Sequence, residues 1–156
     1  MKIILICAQS NVDDWLILAE QQYKNKINHF ASFDILRLKN KRIARENKIV
    51  RIKFDSDLIL SHLHKDDYII LFDERGLKLT SEKYAEKMQN ALNTGKKRLV
   101  FIIGGPYGID DTVKNKSDLT VSLSSFVLNH MVAELVALEQ IYRGYTILKN
   151  IPYHNE

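Results

Sequence analysis

Two kinds of apolar pattern alternate along this chain. Short apolar-rich runs, the mark of strands in a covered sheet, occupy residues 2–8, 33–38, 68–72, 99–103 and 119–123, the first of them continuous as in a strand buried on both faces. In the second run Phe33, Ile35 or Leu36, and Leu38 are the core positions. Between the runs, apolar residues recur at helical spacing. The first helix, capped by Asn11 or Asp13, carries Trp15, Leu16, Leu18, Ala19 and Tyr23. The next starts at Asp55 or Ser56, with Leu58, Ile59 and Leu63 on one face. Another runs from a Thr80 or Ser81 cap to about Leu92, ended by Asn93-Thr94-Gly95. A long final helix, entered through Ser124-Ser125-Phe126, spans roughly residues 127–142 and carries His130. A short polar linker separates the fourth and fifth strands. This alternation predicts an α/β protein with a mostly parallel sheet flanked by helices.

In such sheets ligands lie beyond the carboxyl ends of the strands. Residues 72–76, 104–108 and 123–128 all follow predicted strands and therefore converge on one edge. Gly104-Gly105-Pro106-Tyr107-Gly108 is the most distinctive of these segments, because glycine lets a ligand approach the main chain closely. It lacks the Lys-Ser/Thr of a P-loop, and it follows a late strand rather than the first, as a Rossmann dinucleotide site would require. A loop offering backbone groups to a purine fits it better, and a plain tight turn is the simpler reading.

Composition narrows the picture. A chain of 156 residues, 46% hydrophobic and 27% charged, is expected to form a single domain over residues 1–156. No apolar run approaches the roughly 20 residues of a membrane span. The apolar start at residues 3–7 lacks a signal-peptide cleavage site. One cysteine, Cys7, cannot form an intrachain disulfide and reads as a small core residue, consistent with a cytoplasmic protein. The net charge of +4 is concentrated: Lys39, Lys41, Arg42, Arg45, Lys48, Arg51 and Lys53 face one acid, Glu46. Such a stretch reads equally as a phosphate-contacting surface or a solvated face.

Other chemistry is sparse. His130 and Glu134 at i, i+4 are a lone pair of metal-ligand types, and His62 and His64 point apart on a helix, so no metal site is expected. No Ser-His-Asp set can be assigned, although Ser122, Ser124 and Ser125 lie near His130. On the last helix Met131, Leu135, Leu138, Ile141 and Tyr142 form a stripe that Val132, Val136 and Glu139 widen, which points to a partner chain. Beyond it, Pro152-Tyr153-His154 puts an aromatic ring and an imidazole on a terminus, where a frayed end is the ordinary outcome.

Together, residues 101–108, Ser122-Leu123-Ser124, His130, residues 138–144 and the terminal Pro152-Tyr153-His154 resemble the RlmH family. These are SPOUT-class methyltransferases that modify N3 of a pseudouridine in large-subunit ribosomal RNA. The resemblance runs from Met1 to His154 with the motifs in order. It implies a C-terminal trefoil knot, a rare exception to unknotted topology, and S-adenosylmethionine as cofactor. It implies a homodimer in which each tail completes the neighbouring site, and large-subunit ribosomal RNA or the assembled ribosome as partner. Carried over by position, cofactor contacts fall on Phe72, Gly104, Leu123, Ser124, Ser125, Phe126, Val127 and Leu128. The polar groups for catalysis are His130, Arg143, Tyr153 and His154. Family members carry Pro before the histidine, where this chain has Asn129. Two rival readings are a non-catalytic RNA- or ribosome-binding protein using the basic stretch, and a flavodoxin-like nucleotide binder. The latter lacks a hydroxyl-rich phosphate loop after the first strand.

Overall fold

Five apolar strands associate into one parallel sheet in the order β2-β1-β4-β3-β5. In this computed structural model residues 1–9, 11–39 and 47–153 are described. The strands are β1 (Lys2–Cys7), β2 (Phe33–Arg37), β3 (Asp67–Lys78), β4 (Arg98–Ile103) and β5 (Leu119–Ser122). The helices are α1 (Asp14–Asn28), α2 (Lys48–Ser61), α3 (Ser81–Leu92), α4 (Asp111–Lys116) and α5 (His130–Leu148).

Side chains alternate across a strand, so each run feeds two cores. Ile3, Leu5, Ile70, Phe72, Leu99 and Phe101 pack with α1, α3 and α5 through Ile27, Met88, Leu138 and Ile141. Ile4, Ile6, Ile69, Leu71, Val100 and Ile102 pack on the other face with Ile59 of α2 and Val113 of α4. Both faces are covered, which is why the strands read as unbroken apolar runs.

Several expected boundaries move. Helix α2 begins at Lys48, not at Asp55 or Ser56; the Asn47 side chain caps it by accepting from the Val50 amide at 2.9 Å. Asp55 and Ser56 are instead buried within it. The outward Ile49, 77% exposed, and the exposed Val50 and Phe54 blur the helical period there. Lys41, Arg42 and Arg45 of the basic stretch lie outside the described residues. On α1, Leu16 and Ile27 are the buried residues, whereas Trp15 (42% exposed) and Leu18 (61%) face outward.

Strand β3 does not stop at Phe72. Phe72 and Leu77 both pair with Val121, so residues 73–76 form a bulge at the strand's functional end. Gly76 permits this crossing, because a Cβ there would lie 2.6 Å from the Val121 backbone. The polar linker contains α4, capped by Asp110 accepting from the Thr112 amide at 2.9 Å. Strand β5 ends at Ser122, one residue before the expected Leu123. Helix α5 starts at His130 rather than Val127 and continues past Tyr142 to Leu148. Asn129 is its N-cap, accepting from the Met131 amide at 2.9 Å, so it ends the preceding loop by hydrogen bonding where proline would do so by ring geometry. Among the described residues no helix is long and apolar enough to cross a membrane.

Candidate functional site

The parallel sheet presents the carboxyl ends of β3, β4 and β5 side by side, and the three segments that leave them enclose a cavity of about 550 Å³. After β4 the chain turns back at once: the Gly108 amide donates to the Gly105 carbonyl at 2.9 Å, and Gly108 adopts φ +85°. That left-handed conformation favours glycine. Gly105 is required for a different reason. A Cβ there would lie 2.5 Å from an Asp55 carboxylate oxygen and 2.9 Å from the Ala8 carbonyl. Helix α2 braces the turn from below, with Ser56 Oγ accepting from the Asp110 amide at 2.9 Å.

After β5 the loop is shaped by serines. Ser122 Oγ donates to the Ser124 carbonyl and Ser124 Oγ accepts from the Phe126 amide, both at 2.9 Å. This folds residues 122–126 locally and turns Phe126 (83% exposed) and Val127 (88%) outward. In the β3 bulge, Asp73 accepts from the Arg75 amide at 2.9 Å and faces Lys114 at 3.6 Å.

The cavity wall contains Phe72, Gly104, Leu123, Ser124, Phe126, Val127, Leu128 and His130 of the anticipated residues. Ser125 is not part of it. Tyr107 of the expected glycine segment lines it too, as do Lys48, Ile52, Lys114 and Asn129, which the sequence does not single out as cavity residues. For Lys48 and Ile52 the missing signal was the early start of α2.

Arg143 and Tyr153 are elsewhere. Thirteen residues of α5 separate His130 from Arg143, a rise of about 20 Å. There Arg143 binds Glu139 at 2.6 Å and lies over the Tyr153 ring at 4.8 Å. Tyr153 packs edge-on against Tyr142 at 4.8 Å, so the tail is folded onto α5 as far as it is described. Burial, then the neighbouring Tyr153, push the Tyr23 phenol beside them up to about 12. His154 lies outside the described residues.

Behind the cavity wall, the start of α5 is tied to the sheet by a buried polar network. Glu134 accepts from Gln9 Nε2 at 2.7 Å and from Arg37 at 2.6 Å, and Arg37 also binds Glu20. Burial and the hydrogen bond with Glu134 push the Glu20 carboxyl up to about 7, against the pull of Arg37. Burial, followed by the Glu134 charge, raises the Cys7 thiol well above its ordinary value, which makes Cys7 an inert core group. Glu134 is thus committed to the network and not to His130. Among the described residues no cluster of three metal-ligand side chains exists.

The arrangement offers apolar walls from Phe72, Ile103, Leu123 and Leu128, backbone edges from two tight loops, and Asp73 and Glu74 at the margin. Lys48, Arg75 and Lys114 line it as well, so the wall is of mixed charge and suits a nucleoside held by apolar faces and backbone edges. Residues 1–154 match the family described as "Predicted SPOUT methyltransferase". A protein of Bdellovibrio bacteriovorus named "Ribosomal RNA large subunit methyltransferase H" is 45% identical over 155 residues, 99% of each chain. Proteins of the same name from Christiangramia forsetii and Parabacteroides distasonis are 37% and 36% identical, covering at least 99% of both chains. A solved structure described as "Crystal structure of an hypothetical protein" shares the fold, with a TM-score of 0.56 at 11% identity over 94% of this chain and 68% of that one.

Proposed function

Because the chain belongs to the SPOUT methyltransferase family, we propose that it methylates N3 of a pseudouridine in large-subunit ribosomal RNA, using S-adenosylmethionine. The observation that carries this reading is the cavity formed by the glycine turn and the loop at residues 122–130, on the edge where such sheets bind ligands. Family membership implies the trefoil knot, and the reading treats residues 1–156 as one methyltransferase domain acting in the cytoplasm.

S-adenosylmethionine supplies an electrophilic methyl group. Phe72, Gly104, Leu123, Ser124 and residues 126–128 would hold it, with Leu123 and Leu128 excluding water. The target nitrogen carries an imide proton and is a poor nucleophile until that proton leaves. Bound there, S-adenosylmethionine would supply the methyl as its C–S bond broke and the N–C bond formed, with the sulfur keeping the electron pair, while the N3 proton would pass to a residue of the site or to water. His130 supports a role in accepting it, because it lines the cavity and its neutral imidazole carries a ring nitrogen that can accept a proton. Arg143 would stabilise negative charge on the base, with Tyr153 and His154 covering it.

Arg143 and Tyr153 are absent from the wall of their own chain's cavity, which favours a homodimer in which each tail serves the neighbouring site. Exposed apolar residues on α1 and α5, Trp15, Leu18 and Val132 among them, support a covering partner.

The decisive test is mass spectrometry of ribosomal RNA from a strain lacking the protein, with loss of one methyl on a pseudouridine expected. An unchanged modification profile sinks the proposal. Calorimetric titration with S-adenosylmethionine separates an enzyme from a cofactor-free RNA binder, which gives no heat. The crossed tail is tested by mixing a chain lacking residues 152–156 with a full-length Gly104→Val chain. Recovered activity is expected; none, with heterodimers demonstrated, refutes the crossing. Because a Cβ at Gly104 approaches the Ile109 side chain at 3.0 Å, the folding of that variant is checked first.

A further inference from the structure

We infer that Arg51 and Lys48 of α2, set against Tyr107 of the glycine turn, form a clamp for an RNA backbone phosphate at the cavity mouth. This rests on the RNA-methyltransferase reading above and assigns the substrate strand a route into the site. The Arg51 guanidinium lies over the Tyr107 ring at 4.6 Å, and Tyr107 is itself part of the cavity wall. Arg51 Nε is buried without a hydrogen-bond partner, and the guanidinium makes no ion pair among the described residues. The ring thus holds its plane, and at least the Nε donor is without a partner among the described residues.

Lys48, three residues earlier and on the same side of the helix, lines the cavity, is exposed, and has no acidic partner among the described residues. Two neighbouring cations are engaged, Lys53 with Asp57 at 2.7 Å and Lys114 with Asp73 at 3.6 Å, while Arg75 lines the cavity from the β3 bulge. An arginine stacked on the Tyr107 ring and a lysine lining the same cavity, one a planar fork and the other a point charge, are the donor set that matches a phosphodiester. The position matters as much as the charge. A phosphate held there is anchored next to the glycine turn, so the adjoining nucleotide is delivered to the cavity rather than merely to the surface.

The test uses the full chain, large-subunit ribosomal RNA and S-adenosylmethionine as probes. Arg51→Gln is expected to lower the slope of log affinity for RNA against log salt by about 0.7–0.9, the value of one phosphate contact. It should raise the KM for RNA more than it lowers kcat, and leave S-adenosylmethionine affinity at the parent level. Arg51→Lys should restore the salt slope but not the full affinity, because the fork is lost. Exposed Lys48→Gln provides the same slope measurement without risk to folding. A fall in S-adenosylmethionine affinity with an unchanged salt slope would overturn the clamp and assign these cations to the methyl donor's carboxylate. No change in either would leave Arg51 a packing residue and overturn it as well. A parent chain that neither binds S-adenosylmethionine nor methylates RNA defeats the enzyme reading instead, and the salt slopes still decide the clamp.

Discussion

Two arginine–carboxylate sites lie at opposite ends of the same sheet and follow opposite rules. At the amino end, Arg98 of β4 faces Asp67 of β3 in register and binds both its oxygens at 2.6 Å. Burial works against that carboxylate, yet the bonds from Arg98 and the His64 amide hold it below the usual range. Charge is balanced and the donors are spent. At the carboxyl end, one cation, Arg37, is shared by Glu20 and Glu134, and Gln9 Oε1 is buried with no partner. The balanced pair closes a strand start that does nothing further. The unbalanced group holds the first turns of α5, which carry His130 and Ala133 of the cavity wall. At this end an uneven polar group, rather than a closed pair, sets the position of a helix that lines the cavity.

The largest effect should come from Arg37→Met, which leaves the buried Glu134 without its cation, beside the half-buried Glu20. A loss of about 3–5 kcal/mol in urea unfolding is expected, with S-adenosylmethionine affinity falling as the α5 start loosens. Arg98→Met should cost less, about 1–3 kcal/mol, because Asp67 keeps its bond from the His64 amide. Cofactor affinity should then be untouched; an equal effect of both variants on binding would erase the contrast between the two ends.

The pH dependence should also differ in sign. The folded Glu20 carboxyl, raised from 4.5 to about 7, binds a proton that the unfolded chain has released. Its contribution to stability is therefore present below about 4.5 and lost as pH rises through about 7. Glu20→Gln should flatten that decline. Asp67, lowered from 3.8, contributes above that value and loses its contribution as pH falls below it. Asp67→Asn should accordingly weaken the acid limb alone. Unfolding curves across pH that show the same sign for both sites would refute this account.

The smallest effect concerns the α5 cap. Asn129→Ala should cost about 1 kcal/mol, measured by thermal unfolding. A much larger loss would mean that the cap, and not the buried network, holds the helix start.

Strand identity, the parallel class and the edge that carries the cavity were legible in the sequence, because burial on both faces leaves unbroken apolar runs at residues 3–7, 69–72 and 99–103. The glycine turn was visible for a related reason: backbone crowding at Gly105 and the left-handed Gly108 admit few other residues. The start of α2 was hidden, since its exposed Ile49 and Val50 break the period that burial normally imposes. Only tertiary structure could join Gln9, Arg37 and Glu134, whose partners are separated by 97 and 125 positions. The same holds for Arg51 and Tyr107, brought together across two elements. Local patterns record how each segment meets water. Which polar groups meet each other is settled by how the segments pack, and that information is spread over the whole chain.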